Sequence, residues 1–263
     1  MANILLRNNY LGGKKMSDRE MSAEEIFKKL QDSERLRLDK LPKDKCGIYA
    51  LFDHAGFLRY IGYTAGAKKK PGFYGRIWRD HAAGSVGEMK SGRRHTHMFS
   101  AVYCCGRMWS YSNQMNFSPK EGDADRTADG ELAKKFRNFF SREYCRATYV
   151  TIPRLDAEDS YAERLGRIEK KVQTLANIER RDYLLEHGVP GPVDLNEWEG
   201  DFEPGGYQKY TEKLDELVNK LLGSKEKLLK KSKKGFTEAE ICKLPEALDH
   251  QNELYKKYLK RSI

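Results

Sequence analysis

The sequence predicts an α+β fold. Residues 46–52 and 59–63 are two short apolar strands, and the residues between them form a turn that predicts a β-hairpin, Asp53-His54-Ala55-Gly56. Residues 145–152 alternate in polarity and stop at Pro153, which is typical of a third strand. Helical periodicity is clearest over residues 157–186, where apolar side chains form one stripe. Strands and amphipathic helices are therefore both expected.

A helix is expected near the N-terminus. Ser22 and Glu25 have the spacing of a capping box, in which each side chain bonds the backbone N–H of the other residue. Ile26 and Leu30 then fall on one face of the helix. We expect residues 1–45 to form an N-terminal helical arm before the hairpin.

The composition favours a polyanionic partner. The 263-residue chain has 49 Lys and Arg against 39 Asp and Glu, a formal net charge of +10. This balance indicates nucleic acid first. No apolar run approaches the ~20 residues of a membrane-spanning helix, and the N-terminus lacks the apolar segment of a signal peptide. We therefore expect no membrane partner.

The five cysteines indicate a reducing compartment. Their number is odd and no two have C-x-x-C spacing, which argues against a disulfide framework and against a zinc ribbon. We interpret all of them as small buried apolar residues, namely Cys46, Cys104, Cys105, Cys145 and Cys242. The expected location is intracellular and cytoplasmic.

The hairpin carries the most specific motif in the chain. Gly47-Ile48-Tyr49 lies on its first strand and Tyr60-Ile61-Gly62 on its second, with ten residues between the two tripeptides. These tripeptides and their separation resemble the signature of the GIY-YIG nuclease superfamily. The resemblance covers about residues 46–180, and it implies a small antiparallel β-sheet flanked by helices. It also implies hydrolysis of phosphodiester bonds.

The resemblance implies a role for each tyrosine of the motif. Tyr49 is expected to act as general base or to orient the attacking water, and Tyr60 to position water or phosphate. We expect both to face a common surface of the hairpin. An ordinary tyrosine has a pKa near ~10 and is a poor base at neutral pH, so a nearby cation is expected to lower the proton affinity of Tyr49.

The helix after the hairpin is expected over residues 73–83. In the nuclease family an arginine usually stands four residues before a histidine on this helix. Here Arg76 precedes His81 by five residues and Arg79 precedes it by two. We favour Arg76 as the catalytic arginine and keep Arg79 as the alternative. His81 is expected to contact the phosphate or a tyrosine.

A glutamate on a later helix is expected to hold the metal ion. Glu169 and Glu163 both lie on the long helix after the third strand. At ~100° per residue, Glu169 flanks the apolar stripe, whereas Glu163 points nearly opposite to it. Glu169 is therefore the expected ligand of Mg²⁺ or Mn²⁺. The asparagine that family members place after this glutamate stays open between Asn177 and Asn196.

Basic residues near the hairpin are candidate contacts to DNA phosphates. Three consecutive lysines follow the hairpin, and one of them is a candidate to replace the lysine that many family members carry directly after the second tripeptide. Further arginines follow on the next helix and loop. The complete set is Lys68, Lys69, Lys70, Arg79, Arg93 and Arg94.

Three segments are expected in all. The N-terminal arm covers residues 1–45, and a nuclease domain covers residues 46–187 with an insertion at about 106–144. Residues 188–263 are a loop and a basic helical extension. The extension has no sustained heptad, so DNA binding, self-association and a solvated helical tail all stay open for it.

The expected function is a divalent-metal-dependent endonuclease for double-stranded DNA. The large insertion and the basic tail resemble the type II restriction enzymes of the superfamily most. A homodimer is expected, because one chain offers one active site and both strands must be cut. A homing or structure-specific repair nuclease is the enzyme alternative. A nucleic-acid-binding protein with an inactive nuclease centre is the alternative from another class.

Overall fold

A computed structural model describes residues 20–54, 56, 58–66, 72–83, 128–155, 160–186, 215–230 and 235–259. Within these ranges the α-helices are α1 (Ala23–Asp32), α2 (Ala128–Tyr144), α3 (Tyr161–Glu186), α4 (residues 215–222), α5 (Lys225–Lys230) and α6 (Glu238–Leu259). Leu38–Lys40 form a short 3-10 helix, and residues 72–83 form a helix of mixed type that we call the composite helix. None of the helices in these ranges is long and apolar enough to cross a lipid bilayer.

One antiparallel sheet of four strands forms in the described part of the chain: β1 (Leu36–Arg37), β2 (Gly47–Phe52), β3 (Leu58–Thr64) and β4 (Arg146–Thr151). Their order across the sheet is β1-β4-β2-β3, so β3 is an edge strand. Strands β2 and β3 are the expected hairpin, and β4 is the expected third strand. The α+β class is therefore confirmed.

The sheet has a hydrophobic core on each face, because the side chains of a strand alternate between faces. Ile48 and Ala50 pack with α1 and α3 on one face. Tyr49 and Leu51 pack with the composite helix, α2 and the C-terminal helices on the other face. Every residue of β2 is consequently buried. This burial on both faces explains why the strand is an uninterrupted apolar run.

The N-terminal segment is part of this core. Helix α1 begins at the expected capping box: Glu25 N–H donates to the Ser22 hydroxyl at 3.2 Å, and Ser22 N–H donates to the Glu25 carboxylate at 2.7 Å. Ile26 and Leu30 are buried against the sheet and α3. The Thr148 hydroxyl also donates to the Leu30 carbonyl at 2.7 Å. Packing therefore continues across the expected boundary at residue 45.

Helix α2 and the C-terminal helices build the opposite core. Phe136 and Phe140 of α2 are fully buried in the same cluster as Tyr49. Helix α6 packs along α2, where Lys135 forms a salt bridge to Glu240 with an N–O distance of 2.8 Å. Further C-terminal side chains complete the cluster: Leu221, Leu228, Phe236, Ile241, Leu244 and Leu248. The described parts of the expected insertion and of the expected extension thus belong to the same hydrophobic core as the hairpin residues Tyr49 and Leu51.

The described cysteines differ in exposure. All three are free thiols; Cys145 is buried and Cys46 half-buried. Cys242 is exposed. The expectation of burial is therefore wrong for Cys242. Cys104 and Cys105 lie outside the described residues.

Candidate active site

Tyr49 is positioned by the two glycines of the hairpin motif. It pairs with Gly62 of β3, and a Cβ on Gly62 would lie 2.5 Å from the Tyr49 hydroxyl oxygen. Glycine therefore leaves the space in which the phenol ring crosses the edge strand. Gly47 has a φ of +145°, and a Cβ there would collide with the backbone of Val150 and Ile152. Glycine at both positions thus has a steric reason.

Tyr60 lies beside Tyr49 on the same face of the hairpin. The two residues are diagonal neighbours across β2 and β3, a spacing at which aromatic side chains can reach each other. Their ring centroids are 6.1 Å apart and the rings are inclined by 22°. The expectation of a common surface for the two tyrosines is confirmed.

The composite helix differs from the regular helix expected over residues 73–83. It begins with an α-helical turn at Gly72–Tyr74, continues as a π-helix over Gly75–Asp80 and ends as a 3-10 turn at His81–Ala83. The N–H of His81 is shared between the carbonyls of Arg76 and Ile77. The bond to Arg76 spans five residues, which is the π-helical pattern.

The π-helix brings Arg76 and His81 toward the same side. Five residues of α-helix, at ~100° each, would leave the two side chains ~140° apart. A π-helix bonds residue i to i+5 and turns only about 80° per residue, so the same five residues leave them about 40° apart. The wider helix therefore absorbs the one residue by which this chain exceeds the usual four-residue spacing.

Arg76 supplies the positive charge of the cluster. Its guanidinium hydrogen-bonds the hydroxyls of Tyr49 and Tyr60. It also lies close enough to Glu169 to lower the pKa of that carboxyl. Arg79, the alternative arginine, is exposed. The structure therefore brings Arg76, and not Arg79, to the two tyrosines.

His81 contacts both tyrosines. Its Nε2 is 2.6 Å from the Tyr49 hydroxyl oxygen, and its ring centroid is 4.6 Å from that of Tyr60. Of the two expected contacts for His81, phosphate or tyrosine, the structure contains the tyrosine contact. A neutral imidazole has one acceptor nitrogen, so His81 can accept the proton of the Tyr49 hydroxyl.

The surroundings of Tyr49 oppose its ionisation. Burial raises the pKa of Tyr49 well above its usual value, and Tyr60 acts in the same direction. Arg76 lowers the pKa, but by less than burial raises it. Arg76 therefore acts in the expected direction, but the pKa of Tyr49 still stays above its usual value. Removing the phenol from water outweighs one neighbouring guanidinium, because burial disfavours the charged form.

Glu169 reaches the cluster because α3 covers the edge of the sheet. Its carboxylate accepts a hydrogen bond from the backbone N–H of Tyr63. One turn later, Gln173 Nε2 donates to the Ile61 carbonyl at 2.9 Å. Both backbone groups belong to β3, whose outer side needs hydrogen-bond partners. Glu163, as expected, is exposed.

Gln173 is the residue of this region that sequence reasoning missed. It fixes α3 against the strand that carries Tyr60, and it stands four residues after Glu169 on the same helical face. That spacing was the available signal. A glutamine at this position is equally typical of an exposed helix face. The pattern alone therefore does not distinguish a glutamine that bonds the edge strand from one that faces solvent.

The carboxyl of Glu169 titrates near neutral pH. Burial raises the pKa of Glu169 to about 7, while Arg76 and the Tyr63 N–H lower it. Carboxylate oxygens are preferred ligands of Mg²⁺ and Mn²⁺, and Mg²⁺ is usually held by one or two carboxylates together with water and substrate phosphates. Among the residues described, no group of three or more His, Cys, Asp or Glu could hold a metal ion. Glu169 is a donor of the type that these ions prefer.

Most expected DNA contacts fall outside the ranges given above. Lys68, Lys69, Lys70, Arg93, Arg94 and Asn196 are among the residues that are not described. Asn177 lies on α3, but its side chain is not described. The choice between the two asparagines therefore stays open.

Comparisons of the chain with protein-family models, with curated proteins and with solved structures found no match.

Proposed function

We propose that the protein is a divalent-metal-dependent endonuclease that hydrolyses phosphodiester bonds of double-stranded DNA, of the site-specific restriction type. The observation that carries the proposal is one cluster built from β2, β3, the composite helix and α3. It contains Tyr49, Tyr60, Arg76, His81 and Glu169. Phosphodiester hydrolysis needs a proton acceptor, a cation at the phosphate and a metal-binding carboxylate, and this cluster offers each of them.

Tyr49 and His81 form the proposed proton path. Tyr49 orients the attacking water and passes a proton to Nε2 of His81 through their 2.6 Å hydrogen bond. This relay suits a tyrosine with a raised pKa, because Tyr49 gives up its own proton as it receives the proton of water. It never has to exist as a free phenolate.

Arg76 and Glu169 provide the charges of the proposed reaction. Arg76 offsets the negative charge that develops on the phosphate. Glu169 would hold a Mg²⁺ or Mn²⁺ ion, which would supply Lewis-acid stabilisation of the charge that develops on the leaving oxygen. Because the pKa of Glu169 is about 7, a protonated fraction must lose its proton before the carboxylate can bind the ion.

The proposal includes a homodimer in the cytoplasm. Each copy supplies one cluster, and a double-strand cut requires two. The net charge of +10 supports a polyanionic substrate. Free thiols at Cys46, Cys145 and Cys242 are compatible with a reducing compartment.

Cleavage of a supercoiled plasmid tests the proposal. Wild-type protein with Mg²⁺ should produce nicked and then linear DNA, and Glu169→Gln should produce neither. Glu163→Gln is the matched control, since it removes an exposed carboxylate from the same helix, and it should cleave like wild type. Mapping the cut ends separates a restriction enzyme, which cuts at one short sequence, from a homing or repair nuclease.

Two outcomes would count against the proposal. Undiminished cleavage by Glu169→Gln would contradict the metal assignment. Salt-sensitive DNA binding without cleavage in Mg²⁺, Mn²⁺ or any other divalent ion would favour a binding protein with an inactive centre.

A further inference from the structure

Two stacked aromatic rings on the composite helix have a cation at each end. Lys43 Nζ lies 5.1 Å from the ring centroid of Tyr74. The ring centroids of Tyr74 and Trp78 are 5.8 Å apart with an inclination of 18°. The guanidinium carbon of Arg142, from α2, lies 3.9 Å from the ring centroid of Trp78. We call these four residues the cation–aromatic row.

Arg142 is a half-buried cation without a carboxylate partner in the described part of the chain. It makes one hydrogen bond there, from Nη2 to the Trp78 carbonyl at 3.1 Å. Its Nε is buried and has no hydrogen-bond partner among the residues that the structure describes. The adjacent acid, Glu143, is engaged elsewhere, by Lys227 at 3.0 Å and Arg37 at 3.6 Å.

Burial lowers the pKa of Arg142 to about 10, which still leaves the guanidinium charged at neutral pH. A charge in such surroundings is stabilised by an anion that can meet several N–H groups at once. Phosphate is such an anion, and a guanidinium binds it through two parallel hydrogen bonds. The Trp78 ring fixes the plane of the guanidinium, which lowers the entropy lost on binding.

The alternative is a purely structural role, in which Arg142 only caps the composite helix. The Trp78 carbonyl belongs to the last turn of the π-helix, where a cation is favourable. This role accounts for one N–H of Arg142, whereas its Nε–H has no partner in the described part of the chain. It also gives no role to Lys43, which is exposed and held beside Tyr74 by the backbone bond from Tyr74 N–H to the Pro42 carbonyl at 3.0 Å.

We infer that the cation–aromatic row is a second contact site for the phosphodiester backbone of DNA, with Arg142 and Lys43 as the phosphate ligands. Trp78 and Tyr74 position the two cations and do not stack on bases, because Arg142 and Lys43 already lie over their rings. The identity of the ligand as DNA rests on the proposed function. Its chemistry as a phosphodiester rests on the row itself.

The salt dependence of DNA binding tests this inference without cleavage. The full-length protein is titrated with a labelled 30-base-pair duplex in EDTA, and its Kd is measured by fluorescence anisotropy from 50 to 300 mM NaCl. Log K falls as log salt rises, and each lost phosphate contact makes this negative slope less steep by ~0.9. Arg142→Met should make the slope less steep by about that amount, and it should weaken DNA binding at least about fivefold at 0.1 M salt.

Arg164→Met is the matched control. Arg164 also lies over an aromatic ring, that of Tyr161 at 5.5 Å, and donates to a backbone carbonyl, that of Pro153 at 2.6 Å. It differs in having a carboxylate partner, Glu20 at 2.8 Å. Its loss should leave the salt slope unchanged.

The outcomes are separable. An unchanged slope for Arg142→Met, an equal loss for Arg164→Met, or no DNA binding by wild type would overturn the inference. If Arg142→Met does not fold, Lys43→Met carries the same test at an exposed position. A less steep slope for Arg142→Met, together with no plasmid cleavage by wild type, would support the contact site and contradict the nuclease. Plasmid cleavage by wild type, together with an unchanged slope for Arg142→Met, would support the nuclease and contradict the contact site.

Discussion

Replacing Glu169 by glutamine should change how folding stability depends on pH. The pKa of Glu169 is about 7 in the folded protein, against an ordinary value of 4.5. Between these two values the folded state keeps a proton that the unfolded state releases. Deprotonation of Glu169 therefore lowers the free energy of unfolding of the wild type as the pH rises from about 4.5 to about 7. The variant has no carboxyl to titrate and should not show this loss.

The magnitude follows from the two pKa values. Each tenfold change in acidity corresponds to ~1.36 kcal/mol, so the whole difference is worth ~3.4 kcal/mol. Because Glu169 is only partly buried, solvent screening reduces the expected effect to about 1–2 kcal/mol. Glu169→Gln should thus be more stable than wild type by about this amount at pH 8 and nearly equal to it at pH 4.5. In a chain of this size a gain of about 1–2 kcal/mol corresponds to ~2–8 °C in Tm.

Urea unfolding of metal-free protein, followed by circular dichroism at several pH values, measures this difference. Glu163→Gln is the control, because Glu163 is exposed on the same helix, and it should change stability by less than ~0.5 kcal/mol at every pH. Equal effects of Glu169→Gln at pH 4.5 and pH 8 would refute the reasoning. An equally large pH dependence in the control would refute it too.

Three further changes test the geometry of the site. Gly62→Ala should destabilise the fold by about 1–3 kcal/mol in urea unfolding, because the added methyl group would meet the Tyr49 ring; an unchanged unfolding midpoint would contradict this packing. Tyr49→Phe should stay folded but cleave a plasmid ~10²–10⁴-fold more slowly, because the hydroxyl that bonds His81 is lost; wild-type rates would contradict the proton path. Deleting Arg79 should lower stability by less than ~1 kcal/mol, because one residue fewer converts the π-helix into an α-helix. Deleting Lys29, which is exposed in the regular helix α1, should lower stability more, and the reverse order would contradict the account of the composite helix.

Local patterns in the sequence were sufficient for the elements that depend on neighbouring residues. The capping box at Ser22, the hairpin turn and the apolar stripe that separates Glu169 from Glu163 are all short-range features, and the structure contains each of them. The family resemblance implied a glutamate on this helix, and helical periodicity favoured Glu169 over Glu163. The identity of its backbone partner, Tyr63, did not follow from the sequence, because the pattern contains no information on the edge of the sheet.

The π-helix could not be read from the sequence. Side chains four residues apart lie on nearly the same side of both an α-helix and a π-helix. The burial of Ile77 and His81 is therefore compatible with either type of helix. The composite helix also has tertiary contacts that the local pattern does not contain. Asn138 and Arg142 of α2 donate to carbonyls at the end of the composite helix, and α2 is distant in sequence.

The ionisation state of Tyr49 was also beyond the sequence. A basic helix nearby suggested a lowered proton affinity, but the degree of burial decides the net effect. The hydrophobic core that contains Tyr49 also contains Phe136 and Phe140 of α2. They belong to a segment that the pattern assigned to an insertion. Long-range packing of this kind leaves no short-range signature.

The pH dependence of plasmid cleavage tests the central claim most directly, namely that Glu169 is the metal-binding carboxylate of one hydrolytic cluster. At subsaturating Mg²⁺, the wild-type kcat/KM should rise about tenfold per pH unit up to about pH 7, the pKa of Glu169, and then level off. Glu163→Gln should reproduce this profile, and Glu169→Gln should show no cleavage. Cleavage that proceeds at one rate from pH 5 to pH 8, or that survives in Glu169→Gln, would contradict the claim.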